Sequence, residues 1–205
     1  MTAELDVAMQ GDGKWVSFPV WEDDDPQPWA ESVVDGYLQR RRVRCTPPER
    51  MVVVQAWAAM AEDVRARRQD DERWMAAAYG FVPMGSEHAG DLVAMTVAHL
   101  SGVQDATGRD AFVDGLIMPP SQRLGEPLVE EIATASGDAL RVRQLLVDPW
   151  TDEAEGVGLS LVYAWESPLP WVVVVLDAWF GLADEAMLVL PSFDALAATL
   201  TMKVA

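Results

Sequence analysis

Apolar residues recur at helical spacing in the N-terminal third of the chain. The positions i, i+3, i+4, i+7 and i+8 predict a first helix, whose apolar members are Ala30, Val33, Val34, Tyr37 and Leu38. The arginines at 40–42 follow at the end where cations suit the helix dipole. TPPE at 46–49 is typical of a second helix start, with Thr46 as N-cap and Glu49 closing a capping box. We expect this helix to run to about Arg68.

From Trp74 onward the pattern changes to that of strands. Six segments alternate between apolar and polar residues or are apolar throughout: WMAAAYGFV (74–82), DLVAMTVAHL (91–100), PLVEEIATA, ALRVRQLLV, VGLSLVYAW and WVVVVLDAWF. The third and fourth are joined at 136–138 and predict a hairpin, in which Arg141 and Arg143 share one face. The last is apolar on both faces, as expected of a central strand with helices over part of each side.

Two further helices complete the predicted architecture. GRDAFVDGLIM indicates a short helix, and PSFDALAATL indicates a C-terminal one that begins at Ser192 as N-cap. The order of elements predicts an α+β fold, an antiparallel sheet of about six strands with helices packed on it. Residues 1–27 are expected to form an N-terminal strand and an acidic segment, and residues 28–205 a single α+β domain. Trp165 and Trp179 each end an apolar strand and are predicted for the main core.

The C-terminal half carries a resemblance to known proteins. GDALRVRQLLVD, GLSLVYAWESPLPWVVVVLDAWF and SFDALAATL resemble a pattern in uncharacterised actinobacterial proteins. The order of helices, meandering strands and terminal helix over residues 28–202 is similar to the Mog1/PsbP-like α/β/α sandwich. Members of that fold group are mostly non-enzymatic: regulators of small GTPases, photosystem-associated subunits and secreted lipoproteins. The resemblance transfers no functional residue.

The net charge of the chain indicates which classes of partner it can bind. The chain has 33 acidic residues against 15 Lys and Arg, a formal net charge of −18, which repels nucleic acid and anionic lipid and favours basic partners. We therefore expect neither nucleic acid nor a membrane as partner. Lys14 and Lys203 are the only lysines, a bias typical of high-GC genomes, whose proteins can be acidic for reasons unrelated to function.

The cellular compartment is inferred from the cysteine count and from the apolar stretches of the sequence. One cysteine excludes an internal disulfide framework. The first 20 residues are acidic and broken by GDGK, unlike a secretory leader, and WVVVVL at 171–176 is far too short to span a bilayer. These features predict a cytoplasmic protein.

Candidate catalytic residues are few. His88 lies beside Glu87 in a predicted turn, His99 is expected to be a structural or edge histidine, and Cys45 has a basic neighbourhood that should lower its pKa. None has a recognisable activating partner, and no metal-ligand spacing or phosphate-binding glycine motif occurs. We therefore predict no enzyme activity, no cofactor and no metal. Asp177 interrupts an apolar strand; it either pairs with Arg141 or Arg143 or lies where the strand meets water, which we prefer.

The stretch WEDDDPQPWAE at 21–31 is the most unusual in the chain. Asp25 followed by Pro26 fits an N-cap and first helical position, so capping needs only one of the acids. The tryptophans either pin the loop to the core or form an exposed surface that binds a basic protein. We predict the second role for Trp21, Glu22, Asp23, Asp24 and Trp29.

The predicted function is that of a non-enzymatic protein-protein interaction module, such as an adaptor, a chaperone or an immunity-like binder. Two alternatives stay open: a structural subunit of a larger assembly, and a small-ligand binding or enzymatic domain with a pocket near His88.

Overall fold

The computed structural model describes residues 5–11, 14–21, 25–67, 73–82, 96–104, 108–147, 157–181 and 183–204. Within these ranges, the side chains of Arg41, Arg73, Trp74 and residues 183–185 are not described.

The described residues form four helices and nine strands. The helices are α1 (Pro26–Arg41), α2 (Pro47–Arg67), α3 (Arg109–Leu116) and α4 (Ala183–Ala198). The strands are β1 (Leu5–Ala8), β2 (Trp15–Ser17), β3 (Arg73–Phe81), β4 (Thr96–Val103), β5 (Arg123–Thr134), β6 (Gly137–Val147), β7 (Val157–Glu166), β8 (Val173–Phe180) and β9 (Thr201–Val204). None of these helices is both long and apolar enough to cross a membrane.

Seven strands make one antiparallel sheet in the order β2-β3-β4-β8-β7-β6-β5. The α+β class and the antiparallel sheet are confirmed, with one strand more than the six predicted. The apolar strand β8 lies at the centre, as its sequence indicates. A separate two-stranded sheet pairs β1 with β9, so Leu5 lies opposite Val204.

Both predicted helix starts are confirmed. The Asp25 carboxylate accepts a hydrogen bond from the Gln27 backbone N–H at 3.1 Å, and Pro26 is the first residue of α1. At α2, the Thr46 N–H donates to the Glu49 carboxylate at 2.8 Å, and the Glu49 N–H lies 3.5 Å from the Thr46 hydroxyl. Each start satisfies backbone N–H groups that have no partner inside the helix.

One face of the sheet, which we call the α4 face, packs on α4 and holds the main core. Cross-strand neighbours on this face are Leu100, Leu161, Tyr163, Trp165 and Leu176, all fully buried. Phe193 and Leu196 of α4 belong to the same cluster. Trp165 was predicted here, and its indole N–H donates to the Thr134 hydroxyl at 3.0 Å.

The opposite face, the α2/α3 face, is covered in two places. Ala61 and Val64 of α2 pack with Met75 and Ala78 of β3. Val113 of α3 packs on valines of β6, β7 and β8: Val142, Val162, Val173 and Val175. The Gln144 side chain fixes the end of α3, accepting from the Met118 N–H at 2.7 Å and donating to the Leu116 carbonyl at 3.1 Å.

The prediction that Trp179 belongs to the main core is wrong. Successive side chains of β8 alternate between faces, and Phe180 takes the α4 face, which leaves Trp179 on the α2/α3 face. Its side chain is 41% exposed there, because it contributes to neither of the two helix-covered clusters of that face. A Cβ on Gly158 would lie 2.9 Å from the Trp179 ring, so this glycine allows the ring to lie against β7.

The predicted N-cap at Ser192 is also wrong. Helix α4 begins at Ala183 and continues through Pro191, which places Ser192 inside the helix. Ala186, Val189 and Leu190 are buried in the main core, and this burial favours the longer helix over a stop at the proline. Ser192 instead accepts a hydrogen bond from the Trp15 indole N–H, which ties α4 to β2.

Candidate functional site

The predicted partner-binding segment is divided by the structure. Glu22, Asp23 and Asp24 lie outside the described residues. Trp21 is 58% exposed, whereas Trp29 is half-buried.

Trp29 has a structural role. Its indole N–H donates to the Ser17 carbonyl at 3.1 Å, and its ring centroid lies 4.8 Å from that of Phe18 and 5.9 Å from that of Trp57. These contacts fasten the start of α1 to β2 and α2. Of the two tryptophans, only Trp21 therefore presents most of its side chain to solvent.

The predicted electrostatics of Cys45 are wrong. Burial raises the pKa of the thiol, and the nearby Glu49 carboxylate acts in the same direction, against the opposing effect of Arg50. The basic residues around Cys45 in sequence do not decide its pKa, because burial and the Glu49 carboxylate outweigh the effect of Arg50.

The structure describes the positions of His99 and Asp177, two of the residues considered in the sequence analysis. His88 is outside the described residues. His99 is within β4 and directly opposite Asp177 of β8. Arg141 and Arg143 bond Glu130 on the α4 face, so neither is shown paired with Asp177. Asp177 is 33% exposed, in agreement with the preferred interpretation that it meets water.

The most exposed apolar surface of the sheet lies on the hairpin β5–β6, which we call the arm. Four of its side chains share the α4 face and are 41 to 46% exposed: Leu124, Leu128, Leu145 and Val147. Leu124 and Leu145 are direct cross-strand neighbours. We call these four the apolar arm face. Side chains of this kind in a group mark interaction surfaces more often than single exposed ones do.

Helix α4 meets the arm at its turn end. Asp194 of α4 bonds Arg141, and the Ser136 hydroxyl bonds the Leu200 carbonyl just after the helix. The apolar arm face lies toward the other end, beyond Arg143 along the register. This explains why one end of the arm is packed and the other exposed.

Strand β5 is an edge of the seven-stranded sheet among the described residues. Its pairing with β6 is regular from Leu128 to Thr134 and shifts between Leu124 and Leu128, where Gly125 has a φ of 77°. Two acidic side chains of this strand are largely exposed although each lies near an arginine: Glu126 (88%) is 2.9 Å from Arg123, and Glu131 (61%) is 3.5 Å from Arg109. The edge thus offers backbone hydrogen-bonding groups beside apolar and acidic side chains.

An ion-pair network holds the arm in position. Arg141 lies 2.7 Å from both Glu130 of β5 and Asp194 of α4, and Arg143 lies 2.9 Å from Glu130. Tyr163 donates a hydrogen bond to Asp194. The hydrogen bond from Arg141 holds the pKa of Glu130 below its usual range. Burial and the Asp194 carboxylate raise the pKa of Tyr163, so it stays a donor.

Sequence reasoning missed the apolar arm face. The hairpin was predicted, but its apolar residues were not assigned to the surface. Pro127 was the available signal, because proline inside a strand pattern favours an edge position.

The described residues contain no group of three or more His, Cys, Asp or Glu side chains able to hold a metal ion. Comparison with known proteins gives no further assignment: no family model, no curated protein and no solved structure matches the chain.

Proposed function

We propose that the protein is a non-enzymatic protein-binding module, and that the arm accepts an extended segment of a partner protein along β5. The observation that carries this is the combination of a long edge strand with the apolar arm face beside it. An added strand would pair with the regular stretch Leu128–Thr134, with backbone hydrogen bonds giving affinity and side chains giving specificity.

The side chains of β5 indicate the chemistry of that segment. On the α4 face, an added strand would run beside Leu124 and Leu128, which favours apolar residues at alternate positions. On the other face, it would run beside Val129 and Glu131, which is 61% exposed and lies 3.5 Å from Arg109, so polar residues suit that face. The net charge of −18 attracts a basic segment and opposes pairing with a second copy of this chain.

Trp21 supports a second contact with the same kind of partner. Its large, mostly exposed ring is a suitable anchor, and the acidic residues Glu22, Asp23 and Asp24 adjoin it in sequence. We propose that these three carboxylates speed association with a basic surface, while Trp21 slows dissociation. Trp29 serves this surface by holding the start of α1.

Photo-crosslinking in the organism that makes the protein tests the arm. A photoreactive residue at Val129 of the edge strand should give a discrete crosslinked partner, whereas the same residue at Leu188, exposed on α4, should not. The variant Leu128→Asp/Leu145→Asp should abolish the crosslink without lowering the melting temperature much, since both side chains are exposed. Met187→Asp/Leu188→Asp, with the same charge change at exposed sites, is the matched control.

The outcomes distinguish the arm from the 21–31 segment as the binding surface. Equal crosslinking from Val129 and Leu188, or a crosslink that survives the arm variant, contradicts the arm as binding site. A crosslink lost in Trp21→Ala but kept in the arm variant assigns binding to the 21–31 segment instead. A crosslink to the same polypeptide, with a dimer in sedimentation analysis, would make the protein a structural subunit.

The finer assignments made from sequence also stand as proposals. We propose that the fold belongs to the Mog1/PsbP-like group of actinobacterial proteins; the sheet with α4 on one face and α2 and α3 on the other supports this. A cytoplasmic location is proposed from the single cysteine and the charge of the chain.

A further inference from the structure

A cleft of about 420 Å³ opens on the α2/α3 face between α2 and the sheet. Small-molecule sites usually have volumes of about 300–1,000 Å³ and mostly apolar walls with a few polar groups. Met60 and Val64 of α2 and Val97 of β4 form the apolar wall, and they pack in or against the cluster that joins α2 to β3. His99 of β4 and Trp179 of β8 line the sheet side. The cleft therefore has the size and the lining of a small-molecule site.

The pairing of β4 with β8 brings His99 and Trp179 together. His99 lies directly opposite Asp177, and Trp179 is two residues further along β8 on the same face. Diagonal neighbours of this kind are about 7–8 Å apart. The Trp179 ring rests on Gly158 of β7 and is 41% exposed. One small aromatic molecule can therefore contact both side chains at once.

His99 is uncharged in this cleft at neutral pH. Its side chain is only 18% exposed, and burial lowers its pKa below the usual value of 6.5, against the opposing effect of Asp177. Arg67 also lowers the pKa of His99, and Asp63 raises it. A neutral imidazole presents one hydrogen-bond donor and one acceptor.

The polar atoms of these two rings have no partner in the protein. In the part of the chain that the structure describes, no group is hydrogen-bonded to a ring nitrogen of His99 or to the Trp179 indole N–H. The His99 Nδ1 and the Asp177 Oδ2 are 3.9 Å apart, too far for a hydrogen bond. Largely buried polar groups are normally hydrogen-bonded, to protein, water or ligand. The His99 ring therefore indicates a ligand with a hydrogen-bonding group.

The lining indicates the rest of the ligand's chemistry. A charged ligand would lose hydration against the apolar wall, and Asp63 and Arg67 already pair with each other at 3.0 Å. An exposed indole ring and the Met60 thioether both favour contact with an aromatic ring. A hydroxyl group both donates and accepts, so it can bond to a neutral imidazole in either tautomer. These properties together describe an uncharged aromatic molecule with a hydroxyl group.

We propose that this cleft binds a small uncharged phenol, with its aromatic ring between Trp179 and the apolar wall and its hydroxyl group hydrogen-bonded to His99. None of these contacts uses a charged group of the cleft. The site is formed by α2, β4 and β8, and it is separate from the proposed protein-binding arm on β5 and β6.

A nuclear magnetic resonance titration with para-cresol tests the site on the full chain. At about pH 7.5, where a phenol and a histidine of lowered pKa are both uncharged, the Trp179 indole N–H and the backbone amides of Val97 and His99 should shift and saturate. The indole N–H of Trp171, exposed in the turn at the other end of β8, should not shift. The anion para-toluate and the cation benzylammonium should bind several-fold more weakly.

The variant His99→Phe tests the hydrogen bond, because it keeps a ring and removes both ring nitrogens. Its affinity for para-cresol should fall about three- to tenfold, the usual net contribution of one hydrogen bond. Its affinity for toluene, which lacks the hydroxyl group, should not fall. The ratio of the two affinities is the readout, since a general loosening of the cleft would weaken both ligands alike.

The variant Trp179→Leu tests the aromatic contact. It should weaken para-cresol binding several-fold and should weaken binding of methylcyclohexanol, the saturated alcohol of similar size, much less. Trp171→Leu, the same substitution at an exposed tryptophan outside the cleft, should leave the affinity for para-cresol within about twofold.

Four results would overturn the proposal. The first is absence of saturation at Trp179, which would mean that water alone fills the cleft, and the second is tighter binding of either charged molecule. The others are equal losses of para-cresol and toluene affinity in His99→Phe, and unchanged para-cresol affinity in Trp179→Leu. If His99→Phe does not fold, the comparison of para-cresol with methylcyclohexanol in Trp179→Leu decides.

Discussion

Two tryptophans that look alike in sequence differ in what they stabilise. Trp165 is fully buried and hydrogen-bonded, whereas Trp179 is partly exposed. We expect Trp165→Ala to lower the free energy of unfolding by about 3–5 kcal/mol, the cost typical of deleting a buried aromatic ring. Trp179→Ala should cost less, about 2 kcal/mol, since 41% of its surface already meets water. Urea denaturation of both variants measures the difference; equal losses would show that β8 has been assigned to the wrong faces.

Trp171 carries backbone strain in the turn between β7 and β8. Its φ of 61° is in the left-handed region, and its side chain is 68% exposed. Replacing it with glycine or alanine removes the same burial, but only glycine adopts this φ freely. We therefore expect Trp171→Gly to be more stable than Trp171→Ala by about 1 kcal/mol, measured by thermal unfolding. Equal melting temperatures would mean that the turn relaxes without cost.

At the scale of elements, one arginine joins the arm to α4. Arg141 contacts β5 through Glu130 and α4 through Asp194, and only 12% of its side chain is exposed. Arg141→Met should leave Asp194 without its cation and Glu130 with Arg143 alone. We expect this to cost roughly 2 kcal/mol, below the 3–5 of a fully buried pair, because both carboxylates are about one-third exposed.

The pair Arg67–Asp63 is the control for that experiment. Both of its side chains are 62% exposed, so Arg67→Met should change stability little. Similar losses in both variants, measured by chemical denaturation, would contradict a special role for the Arg141 network.

Helices and strands could be predicted where the residues that specify them are close together in the sequence. Asp25-Pro26 and TPPE mark helix starts because caps bond to residues two or three positions away, and alternation over VGLSLVYAW marks a strand. Trp179 was wrongly assigned to the core because the sequence does not show where α2 and α3 pack on the sheet, and these helices decide which part of that face is buried. The contact between His99 and Asp177 was missed because these residues become neighbours only through the β4–β8 register. The pairing of β1 with β9 joins short strands with no pattern of their own.

For the whole molecule, stability should depend on pH in two steps as acid is added. The pKa of His99 is lowered by burial, so its contribution is full above the unfolded value of about 6.5 and is lost as pH falls through the lower folded value. The pKa of Glu130 is lowered by Arg141, so its contribution is lost only at more acidic pH, below the usual carboxylate value of about 4.3.

Melting temperatures of the wild type and His99→Gln across this range separate the two steps. The variant should lose the first step and keep the second. A decrease of the same shape in both proteins would mean that His99 does not couple folding to pH.

The pairing of Leu5 with Val204 has a mechanical consequence. A force applied to the two ends of the described chain would load the β1–β9 hydrogen bonds one after another, like a zipper, whereas strands pulled along their length share the load among all bonds. This small sheet should open at low force. An unfolding enzyme that pulls on either end would separate β1 from β9 first. The seven-stranded sheet would remain paired and would resist further unfolding.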